Sequence, residues 1–201
     1  MTRALLVDLG KVLVGFDHQV TCDRLAEATG VPAGRLRPVL FGELEADFDG
    51  GRLAASEFFR ACERSAGLPP VPDEVWTPAW RDIFHPLPEA IAALPRVRAG
   101  VRRVLVSNTN ALHWEGVLQA FDPAPFFDAL VLSFRVGAVK PEPAFWSAAL
   151  AEAGCSPADC LYADDRPELV AAASRLGIPG FVVDGPGALA DGLAARGLLG
   201  D

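Results

Sequence analysis

The sequence predicts a doubly wound parallel α/β sheet with a helical segment inserted near its start, and three observations carry the prediction. Short apolar runs alternate with helix-period stretches through most of the chain, as the units of a parallel sheet do. Several of those runs end directly in a polar or charged residue, the place where ligands sit in an open parallel sheet. Between the first run and the next lies a long stretch with helical periodicity and no strand alternation.

Taken in order, Arg3 to Asp17 leads, because Ala4 to Val7 reads as a buried strand that delivers Asp8 at its end. Helical spacing then takes over. Val20, Leu25, Ala26 and Ala28 outline a helix stopped by Gly30, and Leu36, Val39, Leu40 and Leu44 a second helical segment. Asp47 to Arg52 reads as a turn, and Ser56 as the N-cap of a third helix with Phe58, Phe59 and Cys62 on its buried face. After Pro69, Pro70 and Pro72, the residues Val75, Trp76, Trp80, Ile83 and Phe84 make a fourth. At helical spacing these aromatics, with Phe41 and Phe48, read as core rather than as a pocket lining. The predicted division is therefore a core of residues 1–16 and 85–201 and a helical insertion of residues 17–84.

Beyond Leu87 a helix to Leu94 precedes the strand Arg102 to Val106, which enters Ser107-Asn108-Thr109-Asn110. A helix from Leu112 to Phe121, a strand from Phe127 to Leu132, Lys140-Pro141 and a helix from Pro143 to Ala153 follow. The strand Cys160 to Ala163 then ends at Asp164-Asp165. Helix Glu168 to Leu176, strand Gly180 to Val183 and a helix running to Leu199 complete the alternation.

Composition narrows the function classes. With 51% apolar and 22% charged residues the 201-residue chain can bury a large core without staples. A net charge of −8 argues against a nucleic-acid partner and leaves a small molecule as the expected ligand. Cys22, Cys62, Cys155 and Cys160 show no CxxC pair and no zinc spacing, so free thiols in a reducing cytoplasm are expected. No secretory leader is read at the N-terminus, and no apolar run approaches the roughly 20 residues of a membrane span. Oligomeric state is left open.

The polar tips carry the chemistry. Asp8, Ser107 with Asn108, Lys140, and Asp164 with Asp165 fall at the ends of successive elements of one sheet. A carboxylate nucleophile, a hydroxyl with nearby N–H groups, a cation and carboxylates for a metal are the parts that phosphoryl transfer to an aspartate requires.

On VDLGKVL (Val7 to Leu13), VSNTN (Val106 to Asn110), Lys140-Pro141-Glu142-Pro143 and YADDRPEL (Tyr162 to Leu169), the chain resembles the haloacid dehalogenase superfamily over nearly its whole length. The DLG motif and SNTNxLH (Ser107 to His113) look most like its small sugar-phosphate phosphatases with a helical cap. That resemblance implies a Rossmann-like core and a Mg²⁺-dependent phosphomonoesterase acting on a small phosphorylated metabolite. It makes Asp8 the nucleophile that forms an aspartyl-phosphate, with Ser107 and nearby amides holding phosphoryl oxygens and Lys140 neutralising charge. Asp8, the Gly10 carbonyl and Asp165 would hold Mg²⁺, Asn108 and His113 would help bind substrate, and the helical insertion would close as a cap.

Three positions depart from the pattern. Gly10 stands where most phosphatases of the family carry a second Asp that protonates the leaving group, a service worth roughly 10² to 10⁴ in rate. The expectation is a slow enzyme weighted toward activated esters, helped by water, His18 or Asp17. Lys11 either swings outward or pairs with Asp8 or Asp164 and opposes the metal. Leu169 replaces an Asp or Asn that would brace the metal, at an expected cost of about 10- to 100-fold in affinity. These departures keep two further readings in view: a degenerate member that binds a phosphorylated ligand or a protein partner without turnover, and a metal-independent 2-haloacid dehalogenase.

Overall fold

The computed structural model describes residues 1–200. Strand β1 (Ala4–Val7) is followed by a short strand β2 (Val14–Phe16) and then by helices α1 (His18–Thr29), α2 (Ala33–Leu40), α3 (Glu43–Asp49), α4 (Ala55–Ala66) and α5 (Asp73–Arg81). Strand β3 (Phe84–Pro86) returns antiparallel to β2 and closes the insertion at its base. The chain continues through α6 (Pro88–Ala93), β4 (Arg102–Ser107), α7 (Ala111–Ala120), β5 (Ala129–Leu132), α8 (Ser133–Val136) and α9 (Pro143–Ala153). Strand β6 (Cys160–Asp164), α10 (Pro167–Arg175), β7 (Gly180–Val182) and α11 (Ala188–Ala194) complete it.

The main sheet is parallel throughout, in the order β5-β4-β1-β6-β7. Central β1 is buried on both faces, which is why Ala4 to Val7 is apolar without alternation. Its odd and even residues nevertheless serve different layers. Leu5 and Val7 join Leu105 and Leu161 in a core that takes in Trp114, Leu189 and Leu193. Ala4 and Leu6 join Val104, Val106 and Tyr162 against Phe145, Trp146 and Leu169. Because the strands are in parallel register, β1, β4 and β6 end level with one another, and Asp8, Ser107 and Asp164 emerge on one edge.

The inserted helices hold a core of their own, in which Leu25, Leu36, Phe48, Phe58, Phe59, Trp76 and Trp80 are buried. The aromatics at helical spacing are thus core, as expected; Phe41, half-buried, instead stacks on His18 at 3.9 Å and on Trp80 at 5.2 Å. Glu63 is buried within this cluster and satisfied, accepting from Val71 N, from Trp76 Nε1 and from Arg60. Helix α1 starts on Asp17, whose carboxylate accepts from Gln19 N at 2.8 Å, and stops at Gly30 in the left-handed conformation.

Four local expectations are corrected. Asp47 to Asp49 are helical, because α3 runs on until Gly50, and only the residues after it form the turn. The second helical segment is two helices, broken at Phe41 and Gly42. Ser56 lies inside α4; the cap residue is Ala54, whose N–H is taken by the Glu57 carboxylate at 2.8 Å. Phe84 starts β3 rather than ending a helix: α5 stops at Arg81, and Phe84 pairs with Phe16 of β2, where the ladder takes up backbone groups. All four cysteines are free, with the Cys155 and Cys160 sulfurs 3.5 Å apart, and no helix among the described residues is long and apolar enough to cross a membrane.

Candidate active site

A cavity of about 380 Å³ opens where the sheet's carboxyl edge faces the inserted helices. Lining it is Lys140, buried beside the C-terminal end of β4. Its ammonium donates to Asp8 Oδ1 at 2.6 Å, to Asp164 Oδ2 at 2.9 Å and to the Val106 carbonyl at 3.1 Å, and the Tyr162 hydroxyl sits 3.1 Å away. Three donors thus meet a cluster of oxygens in a buried setting, where such contacts are stronger than at a surface. Burial lowers the Lys140 pKa but the two carboxylates outweigh it, and the group ends above its ordinary value.

The opposite balance holds at Asp8. Burial drives its pKa up to about 7 against the pull of Lys140, with Asp164 adding to the rise. Asp165, half-buried, is raised by burial and then by Asp164. Carboxylate oxygens of Asp8, Asp164 and Asp165 lie within 4.8 Å of one another, an all-oxygen donor set of the kind hard divalent cations take. Asp164 is also tied down by the Tyr162 hydroxyl and by Arg166 N at 2.8 Å.

The structure brings all of the sequence-derived site residues to this cavity: Asp8, Gly10, Ser107, Asn108, His113, Lys140 and Asp165 line it. Their placements refine the expectations. The Asn108 side chain is engaged with the Lys140 backbone, accepting from its N–H at 2.7 Å and donating to its carbonyl at 3.1 Å. It therefore braces the Lys140 loop, which also carries a cis Lys140-Pro141 peptide. Lys11 points away from the carboxylates: its ammonium donates to the Phe16 carbonyl and lies 4.4 Å from the Phe16 ring centre. Leu169 is buried in the sheet core. Of the suggested helpers, His18 lines the cavity, whereas Asp17 is engaged as an exposed helix cap.

His113 is buried, stacked on Trp80 at 4.8 Å. Its tautomer follows from Asn110. Asn110 Oδ1 accepts from His113 N at 2.9 Å and from Trp80 Nε1 at 3.3 Å, so the amide nitrogen must face Asp49 at 2.8 Å and His113 Nδ1 at 3.1 Å. Nδ1 is an acceptor and the ring proton sits on Nε2, which has no protein partner among the described residues. Burial pushes the His113 pKa down to about 3 and that of His18 down to about 4, with Arg37 and Lys11 adding to the latter.

Sequence reasoning missed Tyr162, Glu45 and Asp49. Tyr162 was hidden as one more apolar residue of a strand. Glu45 and Asp49 are four apart on α3 and share a face, a spacing that was readable, but reading Asp47 to Arg52 as a turn concealed it.

A model of haloacid dehalogenase-like hydrolases matches residues 8–177. The chain belongs to this family of hydrolases. Among its relatives is Phosphatase MT3486 of Mycobacterium tuberculosis, 26% identical over 197 residues, covering 94% of this chain and 91% of that one. The fold is shared with the HAD family enzyme BT-2542 of Bacteroides thetaiotaomicron at a TM-score of 0.79 and 23% identity, covering 91% of this chain and 94% of that one. The same enzyme, in complex with magnesium and inorganic phosphate, superposes at 0.77 with 24% identity over 92% and 95% of the two chains. An L-2-haloacid dehalogenase from Xanthobacter autotrophicus superposes at 0.66 with 21% identity, covering all of this chain and 85% of that one.

Proposed function

We propose that this hydrolase is a Mg²⁺-dependent phosphomonoesterase for a small phosphorylated metabolite of the sugar-phosphate class, working through an aspartyl-phosphate on Asp8. The observation that carries the reading is the 2.6 Å contact of buried Lys140 with Asp8 inside a cavity that Ser107 and Asp165 also line. The relative named a phosphatase supports the same bond type.

In this reading Asp8 attacks phosphorus while Lys140 favours its ionised form against the effect of burial and balances charge on the phosphoryl oxygens. Ser107 and nearby main-chain N–H groups other than that of Thr109, which donates to Ser133 Oγ at 2.8 Å, hold those oxygens. The oxygens of Asp8 and Asp165, with the Gly10 carbonyl, would hold Mg²⁺, and Asp164 would steady the site through Lys140 and Tyr162. A divalent ion bound there supplies charge neutralisation at the nucleophile and the transferring group. His113 belongs to the substrate end, with Nε2–H as a donor. The helices of residues 17–84 act as the cap that excludes water and selects the leaving group. Gly10 itself brings no proton to the leaving group, so a general acid must come from another side chain of the cavity.

The test is phosphate release from p-nitrophenyl phosphate with Mg²⁺. Asp8→Asn should abolish it, and EDTA should suppress the wild-type rate. Release that survives Asp8→Asn overturns the aspartyl-phosphate, and indifference to EDTA overturns the metal.

A further inference from the structure

The leaving group of a phosphomonoester departs as an oxyanion unless a proton reaches it, and Gly10 brings none. The space beside it is also taken. A Cβ built on Gly10 would stand 2.9 Å from Phe16 Cε1, so the aromatic ring occupies ground that an acidic side chain would need. Among the cavity's other groups, Lys11 is held by the Phe16 carbonyl and Arg166 pairs with Glu168 at 2.8 Å. His18 and His113 are neutral imidazoles at ordinary pH. Apart from Asp8, Asp164 and Asp165, already assigned to the nucleophile and its surroundings, two acidic side chains remain: Glu45 and Asp49.

Resting on the phosphatase reading, we propose that Glu45 of α3 is the general acid that protonates the leaving oxygen, with Asp49 as the positioning residue beside it. Both line the same cavity as Asp8. Helix α3 is fixed to the core at its C-terminal end by two contacts. Asp49 Oδ1 accepts from Asn110 Nδ2 at 2.8 Å, and Gly51, at φ 68°, approaches Phe134 so closely that a Cβ there would meet its carbonyl oxygen at 2.5 Å. The unpartnered, buried Nε2–H of His113 lies in the same wall and points independently to a missing oxygen ligand.

The two carboxyls divide the work. Asp49 is raised to about 6 by burial, opposed by its bond from Asn110, so it is the first to ionise. Glu45 is raised to about 8, by burial first and then by Asp49, with Arg166 opposing, so at neutral pH it still carries its proton. The charged or titratable groups around Glu45 are Asp49 on its own helix, Arg166 after β6 and the Cys62 thiol of α4.

The step balances as follows. An Asp8 oxygen bonds to phosphorus, the bond from phosphorus to the ester oxygen breaks, and its electron pair stays on that oxygen. The oxygen takes the Glu45 proton and leaves as the alcohol. In the second half, water attacks the phosphorus, gives a proton to the Glu45 carboxylate and releases Asp8. Inorganic phosphate and the protonated Glu45 are restored.

The experiment is single-turnover release of phenols from p-nitrophenyl phosphate and from unsubstituted phenyl phosphate, with Mg²⁺, in wild type and Glu45→Gln. The poorer leaving group depends more on the acid, so Glu45→Gln should slow phenyl phosphate by roughly 10²-fold or more and p-nitrophenyl phosphate by much less. The loss of rate in wild type above a pH of about 8 should vanish in Glu45→Gln. In Asp49→Asn, a second variant that keeps the acid, the same loss should begin at lower pH, because the neighbouring negative charge is gone. An unchanged ratio between the two esters, or an unmoved pH limb in Asp49→Asn, overturns this role and leaves the phosphatase reading standing. If wild type releases neither phenol, or Asp8→Asn still does, the phosphatase reading falls and this role with it.

Discussion

Lys11 shows how a single residue's geometry decides between two chemistries. It is the one non-glycine residue among those described with a positive φ, at 59°, a conformation that costs an L side chain about 1–2 kcal/mol. The twist turns its ammonium to the Phe16 carbonyl and ring, clear of Asp8 and Asp164. Lys11→Gly should therefore leave Mg²⁺ affinity within about threefold of wild type, since no cation is withdrawn from the metal's neighbourhood. Its stability should stay within about 1 kcal/mol, relief of strain being offset by the greater freedom of glycine in the unfolded chain. Isothermal titration with Mg²⁺ and thermal melts check both, and markedly tighter binding would mean that Lys11 visits the carboxylates. Asn108 makes the complementary point: its type suggested a ligand contact, and the fold uses its side chain to hold Lys140 in place.

At the scale of elements, two glycines in helices separate packing from propensity. Gly116 of α7 lies under the end of α5, where a Cβ would come within 2.0 Å of the Arg81 carbonyl oxygen and 3.0 Å of Phe84 Cδ2. Backbone cannot yield there cheaply, so Gly116→Ala should destabilise by about 1–3 kcal/mol. Gly34 in α2 has open space around its Cβ position. Gly34→Ala should stabilise by a few tenths to about 1 kcal/mol, because alanine loses less backbone freedom in a helix. Opposite signs in thermal or urea melts support this account; a loss of stability in both would mean that α2 packs more tightly than its surroundings indicate. The same contact explains why periodicity could show that the insertion is helical but not which of its helices meet the core. The approach of α5 depends on the missing Cβ of Gly116, and a glycine carries no periodic signal.

Across the whole molecule, the acidic lining of the cavity links function to pH. Glu45 and Asp49 have folded-state pKa values near 8 and 6, above their ordinary 4.5 and 3.8. The folded protein therefore holds protons that the unfolded chain has released. Their contribution to stability is complete below a pH of about 4 and is lost as pH rises through about 8. Melting temperature without divalent ions should fall over that interval more steeply in wild type than in Glu45→Gln combined with Asp49→Asn. Parallel curves would show that the two carboxyls ionise as freely when folded as when unfolded.

From the sequence by itself came the parallel sheet, the helical stretch inserted in it and the placement of Asp8, Ser107 and Asp165 at or just past strand ends, because apolar runs and the polar residues that end them are local patterns, whereas Lys140 stood out only through its motif. Periodicity likewise marked the aromatics of residues 17–84 as core. Tertiary structure decided what lies opposite those strand ends: Glu45 and Asp49 beside the cavity, Tyr162 on Asp164, Asn110 spanning insertion and core, and Lys11 turned away. These relations join residues far apart in the chain or hang on one backbone angle. They arise only when packing brings separate elements together and burial changes what their charges cost.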